Sequence, residues 1–94
     1  MSHRKAGNME FLDVLQRWGE AQRKAELARI QYDVAYAEAL IRADGPVEVR
    51  KAKAELAAAN AERVFVEACV EAKALERQLD YIVSHGETPK GVAA

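Results

Sequence analysis

One cysteine, Cys69, rules out an internal disulfide framework and a cysteine-rich zinc site, and fits a reducing, cytoplasmic compartment. Prolines number two and glycines five, so the stretches between Asn8 and Ala43 and between Val47 and Ser84 hold almost nothing that stops a helix. Neither sign of charge prevails: 14 basic residues stand against 15 acidic ones, for a net charge of −1. There is thus no global field to draw in nucleic acid or an acidic membrane surface. No window approaches the roughly 18 uncharged apolar residues of a membrane span, and no apolar segment follows His3, Arg4 and Lys5 as it would in a secretory leader. The two histidines, His3 and His85, sit far apart and neither belongs to a Glu-x-x-His pair, so a di-metal bundle site is not expected.

What is present is helix-forming. Half of the residues are hydrophobic, but 19 of the chain's residues are alanine, which buries little area per side chain. Alanine, leucine, glutamate, lysine, arginine and glutamine dominate from Asn8 to Ser84, and these lose least on entering a helix. Residues 1–7 are small, polar and basic and read as a disordered arm, with Asn8 as the N-cap of a helix over 8–43. Gly19 marks a close backbone approach or a slight bend in it.

Asp44-Gly45-Pro46 is the stop: glycine supplies a conformation other residues avoid, and proline lacks an N–H and pushes its predecessor out of the helical region. Proline at the first helical position, with Glu48 two residues on, then opens a second helix over 46–84. Residues 86–94, with glycine, threonine and proline, read as a flexible tail. The expected fold is all-α: a long antiparallel two-helix hairpin, coiled-coil-like, assembling into a four-helix-bundle dimer.

Periodicity gives the packing. Phe11, Val14, Trp18, Ala21, Ala25, Ala28, Tyr32, Ala35 and Ala39 make an unbroken heptad seam, and Ala54, Ala58, Ala61, Phe65, Ala68, Ala72, Leu75, Leu79 and Ile82 make another. With the turn near Gly45, Trp18 is expected level with Ala72, Ala25 with Phe65, Tyr32 with Ala58 and Phe11 with Leu79, large against small. A second stripe on each helix lies about 160° away at ~100° per residue. Leu27, Ile30, Val34 and Ile41 form it on the first helix, and Val49, Leu56, Val66 and Val70 on the second, with Arg63 interrupting. Either pair of stripes can form the hairpin in this register; the other pair then becomes the oligomer interface, here expected to be the eight residues just named.

Chemistry is sparse. Asp13/Arg17, Glu20/Lys24 and Glu38/Arg42 have the acid-first spacing of helix-supporting ion pairs. No catalytic, cofactor-binding or metal-binding set emerges, and the chain is not expected to be an enzyme. Cys69 flanks the second seam and reads as a packing residue. Arg42, Arg50, Lys51 and Lys53 surround the turn, with Asp44, Glu48 and Glu55 among them, and form the best candidate for nucleic-acid contact.

The run Gly45-Pro46-Val47-Glu48-Val49-Arg50-Lys51-Ala52-Lys53-Ala54-Glu55-Leu56-Ala57, followed by Ala74-Leu75-Glu76-Arg77-Gln78-Leu79-Asp80, resembles a group of small helical proteins encoded by phages of actinobacteria. In that group a glycine-threonine-valine turn precedes the charged, alanine-rich helix, whereas here Pro46 takes the place of threonine. The resemblance covers the second half of the chain and implies a phage setting inside a bacterial host cell, sometimes near recombination genes. A second comparison is with the helical hairpins secreted by actinobacterial type VII systems, similar in length and shape. Those carry Trp-x-Gly at the turn and an acid four residues after a tyrosine; this chain has Trp18-Gly19 within the first helix and His85 four residues after Tyr81. The expected function is a non-enzymatic oligomerisation and protein-binding module, adaptor or regulator, partnered by itself and by a phage or host protein. The alternatives are a DNA replication or recombination accessory and a secreted hairpin; no membrane partner and no cofactor are expected.

Overall fold

A computed structural model describes the backbone of residues 2–85 and the side chains of residues 10–85. The order is helix, turn, helix, as the break at Asp44-Gly45-Pro46 dictates. α1 runs Ser2–Arg42, α2 Val47–Ala57 and α3 Ala59–His85. α1 packs antiparallel along α2 and α3, giving a rod of 67 × 20 × 14 Å. Its radius of gyration is 20.4 Å, against the ~12 Å of a compact domain of this length. Two long helices side by side cannot enclose a core, and the burial pattern shows it: among the described residues the buried hydrophobics are Val14 and seven alanines.

All eighteen seam positions are buried or half-buried. The hairpin is therefore closed by the alanine-rich seams, which settles what periodicity leaves open. Small side chains let the two backbones approach, and each buried methyl contributes about 0.8 kcal/mol. The centre is a cluster of Ala25, Ala28 and Ala68 with Phe65 and Cys69 packed against it.

The turn is built by Gly45 and Pro46. Gly45 has φ +110°, where a Cβ would be strained and would also stand 3.4 Å from Val49 Cγ1. Pro46, at φ −63° and ψ 161°, is the N-cap of α2 rather than its first helical residue, and its carbonyl accepts the Arg50 N–H at 2.9 Å. The extended ψ explains the difference: the residue turns the chain into the helix but does not itself take the helical conformation.

Two boundaries depart from the sequence expectation. α1 starts at Ser2, so residues 2–7, expected as an arm, form its first turns and Asn8 lies inside the helix. Apart from Gly7 those residues tolerate a helix, and extending an existing helix adds one hydrogen bond per residue fixed. The second helix is divided at Ala58, whose φ −95° and ψ 4° leave the helical region. The ladder nevertheless bridges the break, with Ala58 N–H to Ala54 O and Glu62 N–H to Ala58 O both at 2.9 Å, so α3 continues the course of α2. The expected tail, residues 86–94, lies outside the described residues.

Candidate functional site

The outer surface of the hairpin follows from the seams. Turning inward puts the seams between the helices, so the second stripes turn outward. Leu27, Ile30, Val34 and Ile41 on α1, and Val49, Leu56, Val66 and Val70 on α2 and α3, are all exposed, up to 81% for Ile41 and 80% for Leu56. In the half of the rod next to the turn, the seam over residues 28–39 and 54–68 holds only Tyr32 and Phe65 among its alanines, and the branched aliphatic side chains stand on the outer strips. They run along opposite long edges of the rod and do not converge on one face. Arg63, which interrupts the second strip, donates from Nη2 to Asn60 Oδ1 at 2.6 Å.

Leu12, Leu15, Tyr81 and Val83 are exposed as well, at the end of the rod away from the turn. They fall outside both the seams and the stripes, so periodicity does not single them out; only the hairpin brings the start of α1 beside the end of α3. There Tyr81 holds His85 against its ring, centroids 4.0 Å apart and edge-on, with His85 Nδ1 3.0 Å from the Tyr81 carbonyl.

Lateral contacts fix which sides of the helices are adjacent. Lys24 Nζ lies 3.5 Å from Glu71 Oε1 across the hairpin, while the expected Glu20/Lys24 pair does not form. Asp13/Arg17 does form, at 3.1 Å, and Glu38/Arg42 does not. On the opposite flank Arg29 binds two acids of its own helix, Glu26 at 2.6 Å and Asp33 at 2.9 Å. The hydrogen bond from Arg29, and then its charge, hold the Glu26 carboxyl below the usual carboxylate value. Tyr32 is half-buried, and its phenol is pushed up first by loss of solvent and then by the negative charge of Glu62.

The basic candidates at the turn are partly committed to its structure. Lys53 Nζ donates to the Asp44 carbonyl at 3.3 Å, and Arg50 is half-buried with its Nε shielded and without a partner among the described residues. Arg42 and Lys51 are exposed. Cys69 is half-buried against the alanine cluster. Among the described residues no three or more histidine, cysteine, aspartate or glutamate side chains gather as metal ligands would, and no helix is long and apolar enough to cross a membrane.

No protein-family model, curated protein or solved structure matches this chain.

Proposed function

We propose that this protein is a non-enzymatic helical module that self-associates through its outer aliphatic stripes and binds another protein, as an adaptor or regulator. The supporting observation is the distribution of apolar bulk in the half of the rod next to the turn. There the hairpin closes on alanine with Tyr32 and Phe65, and leaves Leu27, Ile30, Val34, Ile41, Leu56 and Val70 in solvent. Exposing branched aliphatic residues in strips costs solubility and is the mark of an interface. Two hairpins joined along one stripe, a four-helix assembly, form the smallest such unit. The phage-like second half suggests that the further partner is a phage or bacterial host protein.

Sedimentation at micromolar concentration tests the first part, with an assembly larger than one chain expected. Affinity capture from a bacterial host lysate, comparing the natural chain with a Leu27→Glu, Val34→Glu variant, tests the second: a specific partner is lost when the stripe is charged. A role beside nucleic acid rests on exposed Arg42 and Lys51 at the turn. It has less support, because Lys53 binds the Asp44 carbonyl of the turn and Arg50 is half-buried; DNA binding at low salt that disappears in Arg42→Glu, Lys51→Glu would favour it.

A further inference from the structure

We infer that the outer edge of α1 docks on the same edge of a second copy, head to tail, in a closed pair whose two-fold axis passes near residue 32. This geometry rests on the self-association proposed above; it names the stripe that carries the contact and the direction of the partner. The α2/α3 edge stays outside the contact.

The first observation is the stripe itself. Leu27, Ile30, Val34, Ala37 and Ile41 are exposed and follow one another at steps of three and four, the spacing of a helix–helix seam. At ~100° per residue they share an arc of about 80°, and no charged residue between Leu27 and Ile41 falls inside it. The α2/α3 stripe differs. Arg63 stands within it, and turning that stripe end for end so that Val49 meets Val70 lays Arg63 on Leu56.

The second observation is register. Turned end for end on a copy of itself, the α1 stripe sets Ile30 on the copy's Val34 and Leu27 on the copy's Ala37. Two-fold symmetry makes each contact twice. Ile41 then covers the aliphatic stem of the copy's Arg23, whose charge reaches past it to water.

The third observation is charge, counted in full. From residue 20 to residue 42, α1 carries Glu20, Glu26, Asp33 and Glu38 against Arg23, Lys24, Arg29 and Arg42, all exposed. The two-fold axis brings like flanks together. On one flank Glu20 meets the copy's Arg42 and Lys24 the copy's Glu38, with Gln31 opposite Gln31 at the axis, so that flank holds four opposite-charge contacts. On the other flank Glu26 meets Leu40, and Asp33 meets Asp33 near the axis. Arg29, 2.6 Å from Glu26 and 2.9 Å from Asp33, offsets that one like-charge contact. Within the chain, Glu20, Glu38 and Arg42 make no ion pair among the described residues, and Lys24, 3.5 Å from Glu71, keeps 65% of its side chain exposed. The edge is thus its own complement when reversed. Copies laid parallel and in register would set Asp33 against Glu38 on both flanks, and such like-charge contacts select against that orientation.

The test uses full-length variants whose helical circular dichroism and melting match the natural chain. By light scattering, the natural chain is expected at two copies of 10.4 kDa, Ile30→Glu, Val34→Glu at one, and Leu56→Glu, Val70→Glu still at two. Glu20→Arg and Arg42→Glu are each expected to weaken the pair by about three- to tenfold, and the double variant to restore it. In a Cys69→Ala background, Leu27→Cys chains mixed with Ala37→Cys chains are expected to form a disulfide between unlike chains, and neither to link to itself. Pairing kept in Ile30→Glu, Val34→Glu, or lost in Leu56→Glu, Val70→Glu, moves the contact to the other edge. Leu27→Cys linked to itself makes the pair parallel, and a double charge variant no tighter than the singles removes the complementarity. Each of these results overturns the inference. A natural chain above two copies overturns the closed pair while leaving self-association standing; a natural chain at one copy overturns both.

Discussion

Tyr32 of α1 and Phe65 of α3 stack across the hairpin, ring centroids 6.4 Å apart and planes 11° from parallel. Backbone register alone would set Tyr32 level with Ala58, a large residue against a small one. Side chains on a helix lean toward its N-terminus, so in an antiparallel pair Tyr32 leans away from the turn and Phe65 toward it, and the rings meet between their backbone levels. The same lean brings Lys24 to Glu71. Packing at this level is aromatic on aromatic, with Tyr36 also 6.4 Å from Tyr32.

Such a stack adds about 0.5–1.5 kcal/mol beyond the area it buries. A double-mutant cycle of Tyr32→Ala and Phe65→Ala, followed by chemical denaturation, is expected to give a coupling in that range. Additive effects would mean that the rings merely share a neighbourhood. The phenol of Tyr32 should also titrate above the ordinary 10.0, since its ionised form is desolvated and faces Glu62.

The two central glycines should respond in opposite directions. A Cβ on Gly19 would meet nothing within 4 Å, so the sequence reading of a close approach there does not hold, and Gly19→Ala should stabilise the chain by about 1 kcal/mol. Gly45→Ala meets a φ of +110° and should destabilise by roughly 1–3 kcal/mol. Thermal or urea melts of the two variants decide both.

Trp18 is half-buried in the seam with its Nε1 shielded and unpartnered among the described residues. An unsatisfied buried donor costs about 1–3 kcal/mol, so removing it offsets part of the volume lost in Trp18→Phe. That variant should lie within about 1 kcal/mol of the natural chain, while Trp18→Ala should cost several times more. A large loss in Trp18→Phe would show that the indole N–H has a partner in solution.

Acid should release the Glu26–Arg29 contact. The carboxyl is held below its ordinary 4.5, so what it contributes to stability is complete above that value and is lost as pH falls through the lowered folded value. Both side chains are exposed, so the effect on the melt is small, and the direct readout is the carbon-13 shift of the Glu26 carboxyl during titration. Arg29→Met should return its midpoint to the ordinary value; an unmoved midpoint contradicts the pairing.

The hairpin and its seams were legible because heptad periodicity and a glycine-proline stop are both properties of local sequence. The division at Ala58 was not, since Ala57-Ala58-Ala59 contains no breaker and its departure is one residue's backbone angles within a nearly continuous ladder. The aromatic partner of Tyr32, Phe65, lies seven residues beyond the expected Ala58 because backbone levels omit the lean of the side chains, and Lys24 pairs with Glu71 across the hairpin rather than with Glu20 of its own helix. The eight stripe residues were named from periodicity, but their division between opposite edges required knowing which seams close the hairpin. The exposed group at the far end, Leu12, Leu15, Tyr81 and Val83, comes from two segments far apart in the chain and follows no repeat.

The most direct measurement of the central claim, that alanine closes the hairpin and the outer aliphatic stripes assemble it, is the mass of the natural chain by light scattering across a micromolar dilution series. The account predicts an assembly of at least two copies of 10.4 kDa that dissociates on dilution. A mass fixed at 10.4 kDa throughout, with helical content intact, would contradict it.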